Sequence, residues 1–73
     1  MKETYIRGFK VKYEKNAKEG IKYFLYDLDG QEARVFFDQA RSKKYAKFED
    51  DEDRQFTLSY NRDGSYTLAR RSY

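Results

Sequence analysis

Few side chains in this sequence can attack, donate or accept a proton near neutral pH. It contains no His and no Cys. That removes the usual general base near neutral pH and the nitrogen and sulfur ligands of a zinc-type site. Ser42, Ser59, Ser65 and Ser72 therefore have no imidazole to activate them as triad nucleophiles. The four glycines are scattered singly and form no phosphate loop. Glu49-Asp50-Asp51-Glu52-Asp53 is a dense run of carboxylates, but it lacks the spacing and the sharp-turn glycine of a calcium loop. It reads as a solvated acidic loop, or as a guard that screens a basic body from anionic partners. These features point away from catalysis, and no cofactor or metal is expected.

Cations and aromatic rings remain. Sixteen Lys and Arg face 13 acids, and five of those acids lie in the single run, so the rest of the chain is strongly basic. Lys10, Lys12, Lys15, Lys18 and Lys22 gather near the start, Arg41, Lys43, Lys44 and Lys47 in the middle, and Arg70 and Arg71 at the end. Tyr and Phe are interleaved with them. On a sheet, such a mixture can hold phosphates by charge and stack rings on bases. The same rings can anchor a protein interface. Lysines on exposed strand positions also serve solubility and edge protection.

The elements that must carry these residues are few. Seventy-three residues make one domain, 1–73, and a chain this short buries only about 60% of its unfolded surface. A charged fraction of 40% against 38% hydrophobic hints at disorder. Eight Tyr and six Phe argue otherwise, because each ring buries on the order of 150–250 Å². No apolar run approaches the roughly 20 residues of a membrane span, and MKETYIRGFK lacks the apolar stretch of a signal peptide. A cytosolic protein without a membrane partner is the expectation.

Thr4 to Glu14 alternates, with Tyr5, Phe9, Val11 and Tyr13 on one side, and reads as a strand in which Gly8 marks a bulge or a neighbour that comes close. Lys15 to Gly20 reads as a loop. Ile21 to Asp27 reads as a second strand and Ala33 to Phe37 as a third, joined at Asp29-Gly30. A three-residue loop there pairs Leu25 with Ala33, Tyr23 with Val35 and Ile21 with Phe37. Asp38 to Phe48 reads as a short helix capped by Asp38, with a strand over Lys44 to Phe48 as its rival. The same register test at Asp63-Gly64 predicts a hairpin with a three-residue loop and Gly64 left-handed. It pairs Tyr60 with Tyr66, Leu58 with Leu68 and Phe56 with Arg70.

The segment IKYFLYDL is apolar on both faces of the strand assigned to it. One helix can cover Ile21, Tyr23 and Leu25. Phe24, Tyr26 and Phe36 then face the other way, which suits a sheet curled into a barrel, a homodimer packed through that face, or an open face that binds a partner.

Residues 20–48, GIKYFLYDLDGQEARVFFDQARSKKYAKF, resemble the three-stranded sheet plus helix at the amino terminus of tyrosine recombinases of the AP2-like, arm-DNA-binding type. The shared features are a Tyr-rich strand, an Asp-Gly turn, a strand ending in Phe and an Ala-containing helix. The resemblance covers under half the chain and implies DNA binding by the sheet, with Tyr23, Tyr26 and Arg34 on or near the DNA-facing strands. Where that family carries Lys and Arg just after the turn, this chain has Gln31-Glu32-Ala33-Arg34.

The sequence thus predicts an α+β fold: a small twisted antiparallel sheet of four to five strands in the order β-β-β-α-β-β, with one short helix, open or curled towards a barrel. The function expected is non-catalytic. It is either a protein-interaction module, such as an adaptor or inhibitor, or a nucleic-acid-binding domain. The candidate contact residues are Phe24, Tyr26, Arg34, Phe36, Lys10, Lys12 and Lys22.

Overall fold

The Asp29-Gly30 step decides the middle of the chain, and it starts a helix instead of turning a hairpin. In the computed structural model, which describes residues 1–71, the Asp29 carboxylate accepts the backbone N–H of Glu32 at 2.8 Å. The Glu32 carboxylate accepts the N–H of Asp29 at 3.1 Å. This reciprocal capping box satisfies two amides that a helix start leaves unpaired. Helix α2 then runs over Gly30–Lys43 and buries Ala33, Phe37 and Ala40 at helical spacing. Asp38, the cap expected from the sequence, lies inside this helix.

The segment before it is helical as well. A single 3-10 turn at Lys15–Ala17 leads into α1, Lys18–Lys22, and then into a π-helical turn at Tyr23–Asp27. Ala17, Gly20, Ile21, Phe24 and Leu28 are buried along it, a spacing of three and four that belongs to a helix. The expected strands over Ile21–Asp27 and Ala33–Phe37, and the hairpin between them, are therefore corrected to two helical segments. The apolar character on both sides of IKYFLYDL follows from this. Ile21, Phe24 and Leu28 face the core, while Leu25 and Tyr26 face water.

Among the described residues the strands are β1, Lys2–Ile6; β2, Phe9–Tyr13; β3, Tyr45–Glu49; β4, Gln55–Tyr60; and β5, Tyr66–Arg71. They form one sheet in the order β1-β2-β5-β4-β3. The fold is α+β, as expected, but the chain order is β-β-α-α-β-β-β. The sheet is mixed, because β2 and β5 run parallel while every other pair is antiparallel. It is open, with β1 and β3 as its edges, and does not close into a barrel.

The long strand expected over Thr4 to Glu14 folds back on itself. Ile6 pairs with Phe9, leaving Arg7-Gly8 as a two-residue loop. Both have positive φ, 52° and 87°, the pattern of a type I′ hairpin turn. Gly8 thus makes a turn instead of a bulge. Residues 38–48 divide between the two readings, with helix to Lys43 and strand from Tyr45. The carboxy-terminal hairpin has the expected register: Tyr60 opposite Tyr66, Leu58 opposite Leu68 and Phe56 opposite Arg70. Gly64 has φ 90°, and the Asn61 N–H donates to the Ser65 carbonyl at 2.8 Å.

The helices cover one face of the sheet. Phe24, Phe37, Phe56, Ile6, Leu58, Leu68 and Val11 are fully buried between the layers, and each large apolar side chain so buried contributes about 1.5–3 kcal/mol. The rings interlock. Phe24 stacks on Phe48 at 4.8 Å between centroids, Phe9 on Phe37 at 4.4 Å, and Phe37 meets Tyr66 edge-on at 4.9 Å.

Candidate binding face

None of the described helices covers the other face of the sheet, and strand register determines which side chains share it. Alternation on β4 sends Phe56 and Leu58 to the core and leaves Gln55, Thr57 and Ser59 outside. The pairings then define rows across the sheet. One row reads Glu3, Lys12, Thr67, Ser59, Tyr45 from β1 through β2, β5 and β4 to β3. The next holds Ala69, Thr57 and Lys47, and the third Arg71, Gln55 and Glu49. Tyr5 and Lys10 extend the face on the first hairpin.

Small hydroxylated side chains occupy the centre of this surface, and cations and tyrosines surround them. Tyr5 is 66% exposed at one edge and Tyr45 50% exposed at the other. The Lys47 ammonium sits 5.7 Å from the centroid of the Tyr45 ring, within cation–π range. The Arg71 guanidinium donates to the Gln55 side-chain carbonyl at 2.9 Å, and the Gln55 amide donates in turn to Glu49. Lys10 bridges to Glu3 at 2.9 Å. That hydrogen bond holds the Glu3 carboxyl below its usual range and raises Lys10.

The turn beside this face is held by its own polar network. The Asp63 carboxylate accepts the Ser65 hydroxyl at 2.6 Å and the Ser65 N–H at 3.0 Å, and it lies 3.4 Å from the Lys12 ammonium. The Ser65 hydroxyl above all, then the Ser65 N–H and Lys12, hold Asp63 down to about 2. The Asn61 amide donates to the Ser65 and Thr67 hydroxyls. Lys12 and Thr67 are thereby fixed relative to the turn.

The acidic run is structural in one residue. Asp50 is buried and accepts the backbone N–H groups of Glu52 and Arg54 and the Arg54 Nε–H, the last at 2.6 Å. Burial pushes this carboxyl upward. The Arg54 guanidinium and the two N–H groups outweigh that and leave it below its usual range. Only Asp50 of the five acids is buried. No group of three or more acids is placed to hold a metal ion among the described residues.

The residues singled out from sequence do not form one site. Lys10 and Lys12 lie on the open sheet face. Phe24 is fully buried in the core, and Phe36 packs against that core from α2, 5.8 Å from the Phe24 ring. Neither belongs to a second sheet face. Lys22, Tyr26 and Arg34 are exposed on the helical layer. Sequence reasoning missed Tyr5, Tyr45, Lys47, Thr57, Ser59, Thr67 and Arg71 as residues sharing a face with Lys12. The signal for four of the seven was present, since the correctly paired hairpin puts Thr57, Ser59, Thr67 and Arg71 on one face. Among the described residues no helix is long and apolar enough to cross a membrane. No protein-family model matches the chain, and no curated protein or solved structure is significantly similar to it.

Proposed function

We propose that this is a non-catalytic binding domain whose open sheet face holds single-stranded nucleic acid. The observation that carries the reading is the composition of that face. Lys10, Lys12, Lys47 and Arg71 outnumber Glu3 and Glu49, tyrosines stand at both edges, and only Thr, Ser, Ala and Gln occupy the centre. Protein interfaces are depleted in Lys and Ser at their cores. A sugar–phosphate backbone needs cations and a surface low enough to approach, with rings on which bases can stack.

The test is fluorescence anisotropy of labelled single-stranded DNA and RNA, with a duplex for comparison. Lys10 and Lys12 already have acidic partners, so between two and four phosphates are neutralised. At roughly 0.7 counterions per contact, the affinity should fall between about 7-fold and about 50-fold from 50 to 200 mM salt. Replacing Lys10, Lys12 and Lys47 together with Gln should abolish binding while the fold persists, with a melting temperature lowered only by the small worth of two exposed ion pairs. Absence of binding at the lower salt, or binding that ignores these lysines, refutes the reading.

A second observation favours a protein partner on the other layer. Tyr26 is 79% exposed, Val35 60% and Leu25 39%, all apolar or aromatic and all on the helical side. For that reading, Tyr26→Ser and Val35→Ser should abolish capture of a partner, with little salt dependence.

A further inference from the structure

A cleft of about 260 Å³ lies where the β1–β2 turn meets the start of α2, lined by Arg7, Phe9, Gly30, Arg34 and Phe37. Its floor belongs to the covered side of the sheet, so it is separate from the face described above. We infer that this cleft is a binding site for a small aryl anion: one aromatic ring carrying a phosphate or a carboxylate.

The floor supplies the ring's contact. Phe9 is half-buried and stacks on the fully buried Phe37 with centroids 4.4 Å apart and planes 14° from parallel. Phe37 stacks on one side of Phe9 and Tyr66 meets it edge-on at 5.6 Å, and Phe9 lines the cleft between them and the two arginines. The rim supplies the charge. Arg7 and Arg34 are both exposed, and none of the ion pairs among the described residues includes Arg7. Arg34 pairs with the exposed Asp38 carboxylate at 3.9 Å. The acids nearest this end of α2, Asp29 and Glu32, are engaged in the capping box. One guanidinium outside the ion pairs of the described residues, and a second held only by an exposed pair at 3.9 Å, over an aromatic floor, suit a planar ring with a bidentate anion.

Two further features suit this assignment. Arg7 occupies a left-handed position, φ 52°, where Gly, Asn or Asp is the usual choice. An ideal Cβ on Gly30 would stand 3.1 Å from Arg7 Nη1 and 3.2 Å from Arg7 Cζ, so the glycine lets the Arg7 guanidinium lie against the first turn of α2. The cleft is smaller than the roughly 300–1,000 Å³ of drug-sized sites, which limits the ligand to one ring.

Amide NMR titration of the full chain tests the site, using phenyl phosphate and phenylacetate. Inorganic phosphate and benzyl alcohol serve as half-ligands. Shifts should centre on Arg7 to Phe9 and Gly30 to Arg34 and saturate in the millimolar range, with both half-ligands weaker. The tighter of the two aryl anions identifies the preferred charge. Arg7→Asn suits the left-handed position and Arg34→Gln alters an exposed side chain, so both variants should remain folded. Each should weaken binding by about tenfold, the loss of one charge-assisted contact. The inference fails if neither aryl anion shifts these amides, if either half-ligand binds as tightly, or if both variants bind as the parent does.

Discussion

Gly20 and Gly30 are both helical glycines, and replacing each with Ala should move stability in opposite directions. A Cβ on Gly20 would lie 2.9 Å from Leu68 Cδ2 and 3.0 and 3.1 Å from the Cδ1 and Cε1 atoms of Phe56. Carbon atoms prefer about 3.5–4.0 Å, and both neighbours are fully buried. They cannot swing into water to make room. Alanine should gain about 0.5–1 kcal/mol from reduced backbone entropy and about 0.8 kcal/mol from one more buried carbon. Against this stands overpacking of about 1–3 kcal/mol, at the upper end because three atoms are too close at once. The net is a loss of about 1 kcal/mol, a fall of about 4–8 °C in melting temperature for a domain of this size. Gly20→Val, larger and stiff at χ1, should lose about 3 kcal/mol. At Gly30 the close atoms are the tip of an exposed Arg7 side chain, which can move away. Gly30→Ala should therefore keep most of the entropy gain and melt a few degrees higher. Thermal unfolding followed by circular dichroism reads all three. If Gly20→Ala melts as high as Gly30→Ala, α1 is not seated directly on Leu68 and Phe56, and the layer packing described above is wrong.

Two other predictions concern polar groups. Asp29→Ala should cost about 1 kcal/mol by opening the capping box, while Asp38→Ala should be nearly neutral, because its 3.9 Å pair with Arg34 is exposed; denaturant melts of the two variants compare them. Asp50 and Asp63 both have depressed folded-state values, so each stabilises the fold above the ordinary carboxylate range and loses that contribution as pH falls through its folded value, about 2 for Asp63. NMR titration of the carboxyl carbons should show both below the ordinary range, and Ser65→Ala should move Asp63 back up. Asp50→Ala should cost about 2 kcal/mol at neutral pH, since it leaves the N–H groups of Glu52 and Arg54 without their acceptor.

The parts of the fold that sequence made legible were those where two independent patterns had to agree. In the carboxy-terminal hairpin, the Asp63-Gly64 turn and the cross-strand pairs Tyr60–Tyr66 and Leu58–Leu68 select the same register. A one-residue slip would break both. At Asp29-Gly30 a similar argument led to the wrong element. Three apolar pairs lined up across an imagined hairpin because Tyr, Phe, Val and Ile are frequent enough there to satisfy period two. They also satisfy the helical period. Ala17, Ile21, Phe24 and Leu28 are spaced by three and four, as are Ala33, Phe37 and Ala40. The pattern that separates the two is local. Asp29 and Glu32 form the D-x-x-E start of a capping box, and Leu28 and Ala33 occupy the positions of a hydrophobic staple around it. Apolar residues on both faces of one supposed strand were the visible symptom of the wrong period.

That change of period relocates the candidate surface without removing its chemistry. Moving residues 21–37 out of the sheet takes Phe24 into the core and carries Lys22, Tyr26 and Arg34 to the helical layer. The sheet is completed by a hairpin at Arg7-Gly8 and by β3. The hairpin was hard to see, because an Arg in a left-handed turn is a poor sequence signal; β3 matches the strand over Lys44 to Phe48 that stands as the rival reading, directly after a helix with only Lys44 between. The added β3 brings Tyr45 and Lys47 to the face already holding Lys10 and Lys12. Basic residues interleaved with tyrosine on a sheet therefore remain, on different strands from those the sequence suggested. The two cation groups now lie on opposite layers of a molecule about 21 Å across its shortest axis. A short single strand on the open face cannot also reach Arg34. If the proposed strand lies on the open face, charge changes at Lys12 should weaken its binding more than charge changes at Arg34.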